Sequence, residues 1–235
     1  MSTPRRRIKA KLARREIVAG ISPDYPSPAL AEMLGRSGFD LVFIDCERSG
    51  ADFETIVEMS RAVRAAGAVS VLRPWSDEPG LLRRFLHCGI DGFVAPDIGS
   101  VDDVRAIRAV IADTDPPDAA DIIVIGLIES RQAIEDLPAI LAADGLDGIQ
   151  IGLADLAVSM GLSRKGEHAE VRELALRAFA LAREAGRSCG GAVNRFGVQG
   201  MLEAGGNLMM FWLNDLLRAS IADSLAQLSR DGVRV

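Results

Sequence analysis

Two stretches decide the fold: Ile122-Ile123-Val124-Ile125-Gly126-Leu127-Ile128, which runs into Glu129, and Gly148-Ile149-Gln150-Ile151-Gly152-Leu153-Ala154, which runs into Asp155. Both are apolar at nearly every position rather than at alternate ones, and a helical pattern separates them. A strand that is apolar on both faces is buried on both, so the two read as neighbouring parallel strands of a sheet covered by helices. Both carboxylates then emerge at one rim of that sheet, where a pair of them can hold a hard divalent cation.

The same alternation extends to both ends of the chain. Strands are predicted at 17–22, 41–45, 69–73, 92–95, 122–128, 148–152, 188–192 and 208–213, with helical patterns at 28–36, 53–66, 79–88, 101–111, 131–143, 169–185, 198–204 and 215–228. Glycine turns at Gly38, Gly67, Gly89, Gly145, Gly186 and Gly205 lead from helices into strands. Eight βα units in 235 residues point to α/β class, a single-domain (β/α)8 TIM barrel over 1–235. A doubly wound open sheet is disfavoured, because no G-x-G-x-x-G follows the first strand and eight units close without an edge.

Composition excludes several function classes. The net charge of −6 argues against a nucleic-acid partner, although 1–15 is a basic segment with seven Lys/Arg between Arg5 and Arg15; that segment reads as a solvated helix face. No apolar stretch reaches the roughly 18 residues of a membrane span, so no membrane partner is expected. Cys46, Cys88 and Cys189 are odd in number and lack CxxC spacing, which fits a reducing cytoplasm without disulfides or zinc.

In a barrel the chemistry sits where strands end. That rim collects Asp45, Glu47 and Arg48 after the second strand, Arg73 after the third, Asp97 after the fourth, Glu129 and Asp155, then Asn194, Asn214 and Asp215. Asp97 and Asp215 read as helix caps or dipole partners, Asn194 equally as cap or site residue, and Glu129 with Asp155 as metal ligands. His87 and His168 read as structural or solvated. There is no G-x-S-x-G and no Cys/His pairing, which leaves Lewis-acid chemistry.

Gly38-Phe39-Asp40-Leu41-Val42-Phe43-Ile44-Asp45-Cys46-Glu47-Arg48, Leu72-Arg73-Pro74, Ile128-Glu129-Ser130-Arg131, Gly152-Leu153-Ala154-Asp155-Leu156 and Met160-Gly161 occur in that order. Together they resemble the HpcH/HpaI aldolase family, metal-dependent class II pyruvate aldolases on a (β/α)8 barrel that are related to the citrate lyase β-subunit. The resemblance runs from about residue 8 to residue 228. It implies that Glu129 and Asp155 bind Mg2+, Mn2+ or Co2+ together with a small-molecule 2-oxo acid. It also implies that Arg73 meets the ketone oxygen, that Asp45 stands beside the catalytic base, and that the backbone at Ala154-Asp155 lies near the substrate carboxylate.

Three positions depart from the family pattern: Arg48 replaces its histidine base, Leu127 replaces a substrate-holding glutamine, and Leu153 replaces a proline. Arginine stays protonated and cannot shuttle a proton, but it can clamp a second carboxylate. The base would then be a metal-bound water, Asp45 or Glu47. The expected reaction is cleavage of a 4-hydroxy-2-oxo acid to pyruvate and an aldehyde through an enolate. The alternatives are an enolate-forming lyase acting on a β-hydroxyacyl-CoA and a non-catalytic oxo-acid-binding paralogue. Leu216, Leu217, Ile221 and Leu225 on the last helix, with the resemblance, imply a homo-oligomer, either hexameric or dimer-based.

Overall fold

The computed structural model describes residues 3–116 and 118–230, and in it eight parallel strands close into a barrel in chain order, the last pairing with the first. They are β1 (Val18–Ser22), β2 (Leu41–Asp45), β3 (Val69–Arg73), β4 (Gly92–Ala95), β5 (Ile123–Ile128), β6 (Gly148–Ile151), β7 (Ser188–Ala192) and β8 (Leu208–Trp212). The expected TIM barrel is the observed architecture, and no strand end moves by more than one residue. Of the span 1–235 assigned to the barrel domain, residues 1, 2, 117 and 231–235 lie outside the described residues.

The helices are α1 (Pro4–Ala13), α2 (Pro28–Arg36), α3 (Phe53–Ala65), α4 (Pro79–His87), α5 (Val101–Thr114), α6 (Arg131–Glu135), α7 (Leu137–Ala142), α8 (Leu153–Ser159), α9 (Ala169–Glu184), α10 (Val193–Glu203) and α11 (Leu213–Arg230). Three differ from expectation. The helix predicted over 131–143 is two, because Pro138 lacks an N–H and opens a second helix. Helix α8 was hidden by the apolar Leu153 and Ala154, which read as strand. Helix α10 begins directly after β7, and the kink at Gly197 (φ 69°, ψ 161°) left only its second half legible.

The core has two layers. Phe43, Val71, Val94, Ile125, Leu127 and Met210 pack inside the barrel, while Val42, Leu72, Val124, Ile149 and Phe179 pack between strands and helices. This is why the strands are apolar on both faces.

The basic segment corrects the expectation of a solvated face. Helix α1 closes the barrel floor: Ile8 and Leu12, 0% and 1% exposed, join the interior cluster. Its cations reach acids that precede the strands, Arg5 to Asp91 (3.1 Å), Arg6 to Asp121 (2.5 Å), Lys9 to Asp147 (3.3 Å) and Lys11 to Asp40 (2.6 Å). Three of these acids belong to a recurrence the sequence conceals. Gly-x-Asp or Gly-x-Asn precedes every even strand, at Asp40, Asp91, Asp147 and Asn207. Each side chain accepts a backbone N–H of the preceding odd strand: Ala19 (3.1 Å), Ser70 (2.9 Å), Val124 (2.9 Å) and Cys189 (3.1 Å). Four latches thus satisfy strand donors at the floor that the ladder leaves over.

Candidate active site

At the opposite end, the β5–β6 register pairs Ile128 with Ile151, so the residues that follow, Glu129 and Gly152, meet at the rim. Gly152 leaves room for that carboxylate, because a Cβ there would push the Glu129 side chain aside. Glu129 is 8% exposed. Burial, then the field of Asp155, pushes its pKa up to about 7, with Asp97 adding to the rise; the Asp97 N–H (3.4 Å) and Arg73 oppose it.

Asp155 does not end its strand as expected. It lies in the first turn of α8, beyond β6. Both its oxygens are engaged: Oδ2 accepts from Arg48 Nη2 (3.2 Å) and Oδ1 from Arg164 Nη2. Arg164 lies outside every quoted motif, and sequence reasoning missed it.

Arg73 is the direct cross-strand partner of Asp45 and only 8% exposed. Asp45 accepts from its Nε (3.0 Å) and Nη2 (2.5 Å), and Glu47 from Nη1 (2.9 Å). Burial opposes the charge on Arg73, but Asp45, Glu47 and Glu129 outweigh it and hold its pKa above the ordinary value. Asp45 and Glu47, the candidate bases, are therefore tied into an ion-pair network around Arg73. Arg48 bridges outward from Glu47 (3.8 Å) to Asp155.

Asp45, Arg48, Arg73, Glu129 and Asp155 line one cavity of about 370 Å³ at the barrel mouth, together with Leu127, Ala154, Asn194 and Asp215. The cavity also brings in residues that sequence reasoning passed over: Asp24, Gln150, Arg195, Trp212 and Arg218. Gln150 is the register partner of Leu127, 6% exposed, and its Oε1 is buried without a hydrogen-bond partner. Its position inside a strand otherwise apolar on both faces was the available signal.

Asp97 corrects another expectation. Ser100 caps α5 in a capping box with Asp103, while Asp97 sits in the left-handed region (φ 51°) with its N–H toward Glu129. Asp215 occupies the first turn of α11, as dipole pairing requires, and accepts from Asn194 Nδ2 (2.5 Å). His87 is exposed on α4, and His168 hydrogen-bonds the Ser163 carbonyl (2.9 Å); neither lines the cavity.

The sequence profile of the HpcH/HpaI aldolase/citrate lyase family matches residues 25–202. The chain belongs to that family. Membership makes it a carbon–carbon lyase, as the motifs imply. The 5-keto-4-deoxy-D-glucarate aldolase of Citrobacter koseri is 28% identical over 208 residues, covering 78% of this chain and 80% of that protein. The enzyme of the same name from Salmonella paratyphi C matches equally well. An HpcH/HpaI aldolase/citrate lyase family protein from Burkholderia cenocepacia superposes with a TM-score of 0.85 at 25% identity, over 95% of this chain and 99% of that one. An HpcH/HpaI aldolase from Desulfitobacterium hafniense shares the fold, with a TM-score of 0.78 at 22% identity over 94% and 96% of the chains.

The donor set fits a divalent cation. Among the described residues the buried Glu129 carboxylate forms no salt bridge and stands beside a second carboxylate, and Arg48 and Arg164, which pair with Asp155, are each about half exposed. Among the described residues no three His, Cys, Asp or Glu side chains cluster as a metal cage. A hard cation would thus take its remaining oxygens from substrate and water, the usual arrangement for Mg2+. No described helix is long and apolar enough to cross a membrane.

Proposed function

We propose that this family member cleaves a 4-hydroxy-2-oxo acid carrying a second carboxylate to pyruvate and an aldehyde acid. The observation that carries the reading is the meeting of Glu129, Asp155 and Arg73 in one cavity at the barrel mouth. Its size suits a short-chain oxo acid rather than an extended thioester.

Glu129 and Asp155 would hold Mg2+, Mn2+ or Co2+, which polarises the C2 ketone when bound. Arg73 places its charge where the C2 oxygen becomes negative, and a contact that strengthens in the transition state accelerates the reaction. Asp45 and Glu47 fix the orientation of Arg73. The backbone at Ala154–Asp155 lies beside the substrate carboxylate, and Gln150 brings an amide opposite the apolar Leu127.

The distal carboxylate falls to the mouth. Arg48 is already paired with Asp155, whereas Arg195 and Arg218 line the same cavity and, among the described residues, form no salt bridge. The glucarate skeleton in the relatives' name is a dicarboxylate, which supports this choice over a β-hydroxyacyl-CoA.

The test is pyruvate release. A panel of 4-hydroxy-2-oxo acids with and without a distal carboxylate, assayed with Mg2+ or Mn2+, should yield pyruvate, and fastest from the diacids. Turnover of CoA thioesters alone would overturn the proposal.

A further inference from the structure

Cleavage of a 4-hydroxy-2-oxo acid needs a group that takes the C4 hydroxyl proton, and Arg48 cannot do so because it stays charged. Five carboxylates line the cavity: Asp24, Asp45, Glu129, Asp155 and Asp215. Asp45 is held by Arg73 through both oxygens, and Glu129 and Asp155 are the candidate metal pair. Asp215 accepts from Asn194 and carries the first turn of α11. Asp24 remains.

Three observations set Asp24 apart. It follows β1, which lies diametrically across the closed barrel from β5, so it faces Glu129 over the mouth. An oxo acid anchored by its C1 and C2 oxygens at the β5–β6 wall extends C3 and C4 toward that side. The Asp24 backbone stands in the left-handed region (φ 61°), a conformation that costs a non-glycine residue energy and collects at functional sites. It is fixed there by the Asp24 N–H donating to Ser22 Oγ (3.2 Å) and the Asn214 N–H donating to Asp24 Oδ2 (2.6 Å). No described hydrogen bond or salt bridge uses Oδ1.

We propose that Asp24 is the catalytic base of this enzyme, standing where the family's missing histidine leaves the reaction without one; the assignment rests on the lyase reading above. Oδ1 takes the C4 hydroxyl proton, and the oxygen's electrons form the aldehyde carbonyl as the C3–C4 bond breaks. That bond's pair becomes the C2–C3 double bond of the enolate, with the negative charge on the C2 oxygen beside Arg73. Asp24 then returns its proton to C3, giving pyruvate, so atoms and electrons balance without another reactant.

The surroundings suit the role. Burial raises the Asp24 pKa from its ordinary value, and Asp215 and Asp45 add to the rise against the Asn214 N–H and Arg218. A base shifted toward neutrality transfers protons more effectively at neutral pH.

The test uses the full-length enzyme with Mg2+. Asp24→Asn tolerates a left-handed backbone, and it should lower kcat for pyruvate release by about 10²-fold or more while leaving the pyruvate Kd within about twofold. Exchange of pyruvate C3 protons in D2O should fall in parallel. Asp24→Gly also accepts the backbone and opens space, so formate should restore its rate several-fold, which a merely structural role would not allow. A wild-type rate in Asp24→Asn overturns the assignment alone. So does joint loss of rate and pyruvate binding without formate rescue. A wild-type enzyme that neither cleaves these acids nor exchanges pyruvate protons overturns the lyase reading and Asp24 with it.

Discussion

Gln150, which lines the cavity, stands directly across the β5–β6 ladder from Leu127, with its Oε1 buried and unpartnered. A buried acceptor without a partner costs about 1–3 kcal/mol, and it is the N–H2 side of the amide, a donor, that suits a ligand carboxylate. Gln150→Leu should therefore weaken pyruvate binding by about 1.5–3 kcal/mol, the range for hydrogen bonds to charged groups, with Tm unchanged or raised. Moving the amide back, in Leu127→Gln combined with Gln150→Leu, should recover part of the loss. Calorimetry that finds full affinity in Gln150→Leu would remove the amide from the site.

How much of this was legible follows from which contacts are local. Strand bounds were readable because each run is buried on two faces, so its apolarity is continuous. Glu129 was readable because it breaks such a run. The four cations of α1 look like any solvated face until folding places Asp40, Asp91, Asp121 and Asp147 opposite them. Asp24 is equally silent in sequence, set between Pro23 and Tyr25 in an ordinary turn; its significance comes from β1 standing across the barrel from β5. The Arg73–Asp45 pair required the register of β2 and β3.

The thiols should be inert in the native protein. Burial pushes Cys46 up to about 12 and Cys189 up to about 11, and it raises Cys88 as well. Native protein at pH 8 should react with Ellman's reagent far more slowly than denatured protein, which exposes all three. The raised values also set a sign: the native state keeps these protons while the unfolded chain releases them. Stability is thus fully present below about pH 9 and is lost as pH rises toward 12. Rapid labelling of Cys46 at pH 8 in folded protein would contradict the burial.

Helix α11 should be covered by a second copy. Every residue from Leu216 to Gln227 is exposed, including Leu216 (41%), Leu217 (46%) and Ile221 (56%), so this stretch of the helix shows apolar surface to solvent. A patch of this kind ordinarily marks a subunit contact. Light scattering should give a dimer or a larger multiple, and Leu217→Glu with Ile221→Glu should shift it toward 25.1 kDa. A wild-type monomer across micromolar concentrations would refute the assembly.

Asp155 presents a competition between cations. Arg48 and Arg164 occupy both its oxygens, so a divalent ion must displace at least one guanidinium before it reaches the carboxylate. Side chains this exposed give weak pairs, and removing one restores a ligand oxygen and takes away a repelling charge. Arg164→Ala should tighten Mn2+ binding modestly, as removal of one exposed ion pair does. Asp155→Asn and Glu129→Gln should abolish binding in the wild-type and Arg164→Ala backgrounds alike. The measurement is a Mn2+ titration followed by electron paramagnetic resonance at neutral pH without substrate. If Arg164→Ala binds Mn2+ more weakly than wild type, the guanidinium positions Asp155 instead of competing for it.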